Sequence, residues 1–323
     1  MGRFPSVRKH VRSRLRGVAV IDPRISALSG HPQRDNDQEQ LEIFRALPGE
    51  LAPRDAQDLM AYPFFSLSKT HRVAPIDFHT GKVSIRVEAT AEHGMATIWD
   101  ADVLIWAASQ IVEARDAGLP TSRLIVATPY EILSFVQRGT SARDYTRLKA
   151  ALDRLQSTTV ATSIRQVTGR RLHRFSWVNE WKERSDAHGR AHGLELILPD
   201  WFYSGLLERT LILTIDQKYF SLTGGIERWL YRVVRKHAGR QPKGWRFDFR
   251  HLYAKSGSLA RFSDFAIDVR RIARRQSLPG YWLHVERHGN GTEWLAFRAG
   301  RDSGALAQAV RDLVRTRRVG EKL

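Results

Sequence analysis

From Met60 onward the apolar residues alternate between two spacings. "KVSIRVEA" places Val83, Ile85 and Val87 at every second position, which predicts a strand. "WDADVLIWAASQIVEARDAG" predicts a helix, with Asp100 or Asp102 able to cap its start and Gly118 to stop it. "TPYEILSFVQRG" predicts a short helix with Pro129 in its first turn. After "GTS", the run "ARDYTRLKAALDRLQS" carries Tyr145, Leu148, Leu152 and Leu155 at helical spacing. Ser141 with Asp144 three residues on resembles a capping box. "TVATSIRQV", the basic turn "TGRR" and "LHRFSWVNEW" then read as a hairpin, with Arg170 and Arg171 at its turn.

The second half repeats this order. "TGGIERWLYRVVRKHAG" is a helix closed by Gly239, "FDFRHLYAK" a short helix and "SGS" a turn. "LARFSDFAIDVRRIARRQ" is the next helix, and "YWLHVERHGNGTEWLAFR" a hairpin. An offset of 117 carries Tyr145, Leu148, Leu152 and Leu155 onto Phe262, Phe265, Val269 and Ile272, and Arg154 onto Arg271. The shared order of five elements points to an internal repeat. A short helix, a tight turn, a longer helix and a hairpin make a winged helix. The fold class expected is therefore α+β: two tandem winged-helix domains behind a flexible N-terminal leader. The expected bounds are residues 1–58 for the leader, 59–200 and 201–300 for the two domains, and 301–323 for a basic, helical tail. One short helix is expected within the leader, around Leu41–Leu47.

Charge gives this architecture a purpose. The 323 residues carry a formal net charge of +18, unevenly placed. Residues 224–300 hold ten of those charges, residues 1–17 hold six without one acid, and residues 60–199 hold four. Such a field favours polyanions, nucleic acid first. The N-terminal arm either meets DNA phosphates or has no specific role. Cysteine is absent, which rules out a disulfide framework and a thiolate metal site, and fits a reducing cytoplasm. No apolar run approaches the roughly 20 residues of a membrane span, and the N-terminus has no secretory apolar segment.

The second helix of a helix-turn-helix fits the major groove of B-DNA, and the wing lies along the adjacent backbone. In 259–276 the core stripe reads Phe262, Phe265, Ala266, Val269, Ile272 and Ala273. The opposite face reads Arg261, Ser263, Asp264, Asp268, Arg271 and Arg275, flanked by Arg270 and Arg274, with Arg287 on the wing. These are the expected DNA contacts of the main reader. Arginine pairs with guanine O6 and N7, and aspartate accepts from cytosine N4. In the first domain the candidates are Arg143, Arg147, Lys149 and Arg154, with Arg170 and Arg171 at its hairpin turn. That domain either contacts phosphates or pairs two protomers.

Catalytic patterns are missing. There is no phosphate loop of the G-x-x-x-x-G-K-[ST] type. No two histidines flank a single hydrophobic residue, as metal-dependent nicking enzymes require. His188 and His192 sit in a glycine-bearing loop, not on a helix face, so no metal and no cofactor is expected. Asp100 and Asp102 have capping as their ordinary role, and Trp106, Trp177, Trp229 and Tyr231 have core packing.

"DLMAYPFFSLSK", "HGMATIWDADVLIWAASQI", "RDYTRLKAALDRLQSTTV", "FSWVNEW", "LTGGIERWLYRVVRKHAGRQ" and "GSLARFSDFAIDVRRIARRQSLPGY" resemble the plasmid replication initiator protein A family of bacteria. The resemblance runs from about Asp58 to about Arg298. It implies a protein that starts plasmid replication by binding double-stranded origin DNA at direct repeats (iterons). It further implies opening of an adjacent A+T-rich segment and recruitment of the host initiator and replicative helicase. Related initiators pair through the N-terminal winged helix and read bases with the C-terminal one, which suggests a homodimer through the first domain. The alternative reading is a winged-helix transcriptional repressor without an initiation role, and an initiator also able to repress its own promoter lies between the two. A nicking or joining enzyme is the third reading, and the missing histidine pattern argues against it.

Overall fold

The computed structural model describes residues 41–300 other than 167–171, 186–187, 189–190, 239–240, 242–243 and 290. The chain opens with strands β1 (Ile43–Arg45) and β2 (Arg54–Ala56), helix α1 (Gln57–Ala61), and strands β3 (Ile76–Thr80) and β4 (Val83–Glu88). Helix α2 (Ala101–Asp116), β5 (Leu124–Ala127), α3 (Pro129–Phe135) and α4 (Ala142–Ser157) follow. Next come β6 (Thr159–Thr162), β7 (His173–Ser176), β8 (Glu180–Ser185), β9 (Ala191–Ile197) and α5 (Asp200–Leu207). The second half holds β10 (Ile212–Thr214), α6 (Gly225–Ala238), β11 (Trp245–Asp248), α7 (Phe249–Ser256), α8 (Phe262–Arg275), β12 (Tyr281–Arg287) and β13 (Glu293–Ala299).

Two winged helices emerge with one connectivity. In the second, β11 pairs β13 and β13 pairs β12, all antiparallel. In the first, β5 pairs β9 and β9 pairs β8 in the same way. The wing of the first module is therefore β8–β9. The hairpin expected to be that wing, β6–β7, instead joins β3 and β4 in a separate antiparallel sheet of order β3-β4-β6-β7. The β6–β7 pair comes directly after α4, where a wing is expected, and β8–β9 comes after it, so local strand pattern does not say which sheet each joins. Arg170 and Arg171 lie outside the described residues, and the β6–β7 connection that includes them is not the wing.

A second correction concerns the leader. Residues 43–45 are a strand, not the helix expected around Leu41–Leu47, and they extend the first module's sheet parallel to β5. β2 pairs β10 antiparallel, so residues 54–56 also belong to the folded unit. Three-residue strands show too little alternation to be read locally, and both partners are distant in sequence. Residues 1–40, and the tail 301–323 expected to be helical, lie outside the described residues.

Local chemistry sets the helix ends. Thr128 and Ser141 each accept from the third residue of their helices, Glu131 and Asp144, whose carboxylates return to the cap nitrogens. Each such cap is worth about 1 kcal/mol. α7 ends at Gly257, held at φ 59°, a left-handed conformation that favours glycine. Gly225, at the start of α6, faces the carbonyl of Leu67 so closely that a Cβ would collide with it. The core holds the expected aromatics: Trp106, Trp177, Trp229 and Tyr231 are all buried. Trp177 packs edge-on to Phe64, Phe175 and Trp201. No described helix is long and apolar enough to cross a membrane.

Candidate nucleic-acid interface

Helix α8 is the second helix of the C-terminal helix-turn-helix. Asp248 caps α7 by accepting from His251 N at 2.8 Å. The turn is drawn in by Ser258 N donating to Ser256 Oγ at 3.1 Å and by Tyr253 OH donating to Ala260 O at 2.8 Å. Phe265, Ala266, Val269, Ile272 and Ala273 are buried against the module. Spacing of about 100° per residue then sends Ile267 and Arg271 to the pole opposite this stripe. Ser263, Asp264, Arg274 and Arg275 are exposed around them, and Arg261 is exposed at the N-cap. Arg271 is half exposed and donates to Asp268 Oδ1 at 2.9 Å, one turn back.

The wing is fastened to this helix at two points. Gln276 ends α8 in the left-handed region, at φ 50°. Its amide nitrogen donates to Leu283 O at 2.7 Å and its carbonyl oxygen accepts from Leu283 N at 3.0 Å, which ties the helix end to β12. Glu293 of β13 receives a two-pronged contact from Arg270, at 3.0 and 2.5 Å, and a third from Arg287 Nε at 3.0 Å. Hydrogen bonding from Arg270, with Arg287 beside it, holds the Glu293 carboxyl below the usual range. Arg270 thus positions the wing, while Arg287 keeps 74% of its side chain exposed at the wing's end.

The first module uses its basic residues differently. Arg143 is exposed on α4, and Arg147 is 60% exposed with only a 3.3 Å contact to Asp144. Lys149 reaches Glu183 of β8 at 2.5 Å. Trp181 of β8 donates its indole N–H to Asp153 at 3.2 Å. Arg154 does not point outward as expected. Its Nε and Nη2 donate to Asp100 at 2.8 and 2.7 Å, and Asp100 is 3% exposed. The 117-residue offset also fails as a spatial match, because the two helix caps, Ser141 and Arg261, stand 120 residues apart. Arg271 therefore sits a turn earlier on its helix than Arg154. Asp100 and Asp102 are arginine partners: Asp100 has the N-cap position of α2 but its side chain makes no cap bond there.

A family model of replication initiator protein A matches residues 54–283. The chain belongs to the replication initiator protein A family. A protein of Wigglesworthia glossinidia brevipalpis described as "Putative replication protein" is 32% identical over 226 residues, 69% of this chain and 81% of that one. Among solved structures, domains 2 and 3 of RctB superpose with a TM-score of 0.54 at 16% identity, over 73% of this chain and 95% of that one. A second RctB structure of the same domains gives 0.50 at 15% identity, over 76% and 97%. These likenesses support the fold, tandem winged helices in an α+β chain.

In this initiator the two winged helices are joined by buried charge. Arg228 of α6 donates from Nη1 to both oxygens of Asp102 on α2, at 2.7 and 2.9 Å, and from Nε and Nη2 to the carbonyls of Leu222 and Phe220. Arg138 donates to the same Asp102 at 2.9 Å. Arg232, one turn along α6, binds Asp55 of β2 through two bonds of 2.7 and 2.9 Å. Arg72 reaches Gly257 O in the second module's turn at 2.7 Å. Sequence reading assigned none of these arginines a role and gave Asp102 only a capping one. The signal was present: arginines on the apolar side of a strongly amphipathic helix need buried acids, and "WDAD" supplies one.

Proposed function

We propose that this protein is a plasmid replication initiator that binds double-stranded origin DNA at direct repeats, with α8 as the main reader. One observation carries the reading. The pole of α8 holds Arg271, Arg274 and Arg275 exposed, on a helix locked to its wing by Gln276 and Glu293. Arg261, Ser263, Asp264 and Asp268 complete the groove-facing set, and Arg287 meets the adjacent backbone. Of the first module's four candidates on α4, Arg143 and Arg147 are exposed enough to meet phosphate, while Lys149 and Arg154 are engaged internally. That module also pairs two protomers. Binding at the repeats promotes opening of a neighbouring A+T-rich segment and recruits the host initiator and replicative helicase. The protein acts in the bacterial cytoplasm on plasmid DNA, uses no cofactor, catalyses no step and represses its own promoter.

The test is footprinting of the purified full chain on plasmid DNA flanking its gene. Regularly spaced direct repeats are expected under protection. A single palindrome at the promoter and nothing elsewhere would make it a transcriptional repressor without an initiation role. Nicking of supercoiled plasmid by the same preparation would overturn the absence of catalysis.

A further inference from the structure

Ile267 stands on the exposed face of α8, among charged and polar residues. It is 45% exposed, and it is the single large apolar residue exposed on α8. A lone exposed isoleucine on a protein surface is ordinary. Its position is not: with Arg271 it occupies the pole of the helix, directly opposite Phe265 and Val269. Ser263 stands one turn before it and Arg271 one turn after, and Arg274 completes the same stripe. Sequence reading named it neither in the core stripe nor on the opposite face. Its phase puts it on the opposite face, since it falls two residues after Phe265 and two before Val269.

A major groove offers hydrogen-bonding edges and one apolar group, the C5-methyl of thymine. Ile267 is β-branched, and in a helix its χ1 is confined to one dominant rotamer, so it presents a fixed apolar surface to whatever lies before it. Placed in a groove without a methyl, that surface would displace water from polar base edges and return nothing. The arginines around it bring the helix to a polyanion, and they do not discriminate thymine by its methyl. We propose that Ile267 is a specificity-determining residue that packs on a thymine C5-methyl in the major groove of the repeat. This rests on α8 being the reading helix.

The experiment uses the full chain and duplexes carrying the footprinted repeat. Each thymine is replaced in turn by deoxyuracil, which pairs identically but lacks the methyl. Wild type should lose about fourfold in affinity at one or two positions, the worth of one buried methyl group. Ile267→Ala should bind the unmodified repeat about as weakly as wild type binds the deoxyuracil duplex, and should show no further loss there. Ile267→Val should retain part of the sensitivity. Circular dichroism of each variant should match wild type, because the side chain leaves no core cavity. Specific binding indifferent to every deoxyuracil would overturn the inference, as would a sensitivity that persists undiminished in Ile267→Ala. Absence of specific binding to any duplex would instead defeat the proposed function itself. Loss of self-association in Ile267→Ala, with its DNA behaviour unchanged, would reassign the residue to a contact between protomers.

Discussion

Replacing Arg228 with methionine tests the joint between the modules. Methionine keeps the length and apolar stem but removes the guanidinium. Asp102, 1% exposed, would keep only Arg138, which is itself one-third exposed. The carbonyls of Leu222 and Phe220 would each lose a donor. Removing one partner of a buried pair costs about 3–5 kcal/mol, because a charge is left in a poorly solvated site. Against a total stability of roughly 5–15 kcal/mol this is a large fraction. The double variant Asp102→Leu with Arg228→Met removes the stranded carboxylate and should regain part of the loss. Urea unfolding followed by tryptophan fluorescence and by circular dichroism measures both. If the two modules unfold together because of this joint, the two probes should coincide in wild type and separate in Arg228→Met. A loss below about 1 kcal/mol, with coincident probes, would refute the reasoning, since a pair this buried cannot be cheap to break.

Other consequences are open to measurement. Arg154→Ala should destabilise the fold by about 3 kcal/mol through Asp100, measured by urea titration, rather than acting mainly on DNA affinity. His237 is packed against Phe247 and Trp245 with its Nε2 buried and unpartnered, and burial, with Lys255, Lys236 and His251 nearby, pushes it down to about 4. The unfolded chain takes up this proton near pH 6.5 and the native one near 4, so stability should fall as pH drops through that window. The loss should be on the order of 2 kcal/mol, and His237→Phe should flatten it. Lys255 lies over the Tyr62 ring at 4.8 Å, and burial lowers it to about 8. Lys255→Met should therefore stabilise the protein at pH 7 by about 1 kcal/mol, by calorimetry.

Much of the helical framework was legible in the sequence because capping and spacing are local. Ser141 with Asp144 and Pro129 after Thr128 mark helix starts that need no distant partner. The stripe Phe265, Val269 and Ile272 marks the buried face of α8 in the same way. What was not legible depends on partners far along the chain. Arg154 looks outward until Asp100 is seen 54 residues away beside it. Arg228 and Arg232 look like part of the general basicity until Asp102 and Asp55 are found against them. The true wing of the first module is a polar hairpin that the preceding β6–β7 pair imitates. Ile267 was named on neither face of α8, although its phase in the helix puts it outside.

The central claim is that α8 reads bases with Arg271 at its pole. It is tested most directly by titrating wild type and Arg271→Ala with the footprinted repeat and a scrambled duplex at several salt concentrations. Wild type should prefer the repeat and weaken steeply with salt, by about 0.9 in log–log slope for each phosphate neutralised. Arg271→Ala should cost about 1–3 kcal/mol on the repeat, change the scrambled duplex far less, and so narrow the gap between them. Binding indifferent to salt, or discrimination left intact by Arg271→Ala, would contradict the account.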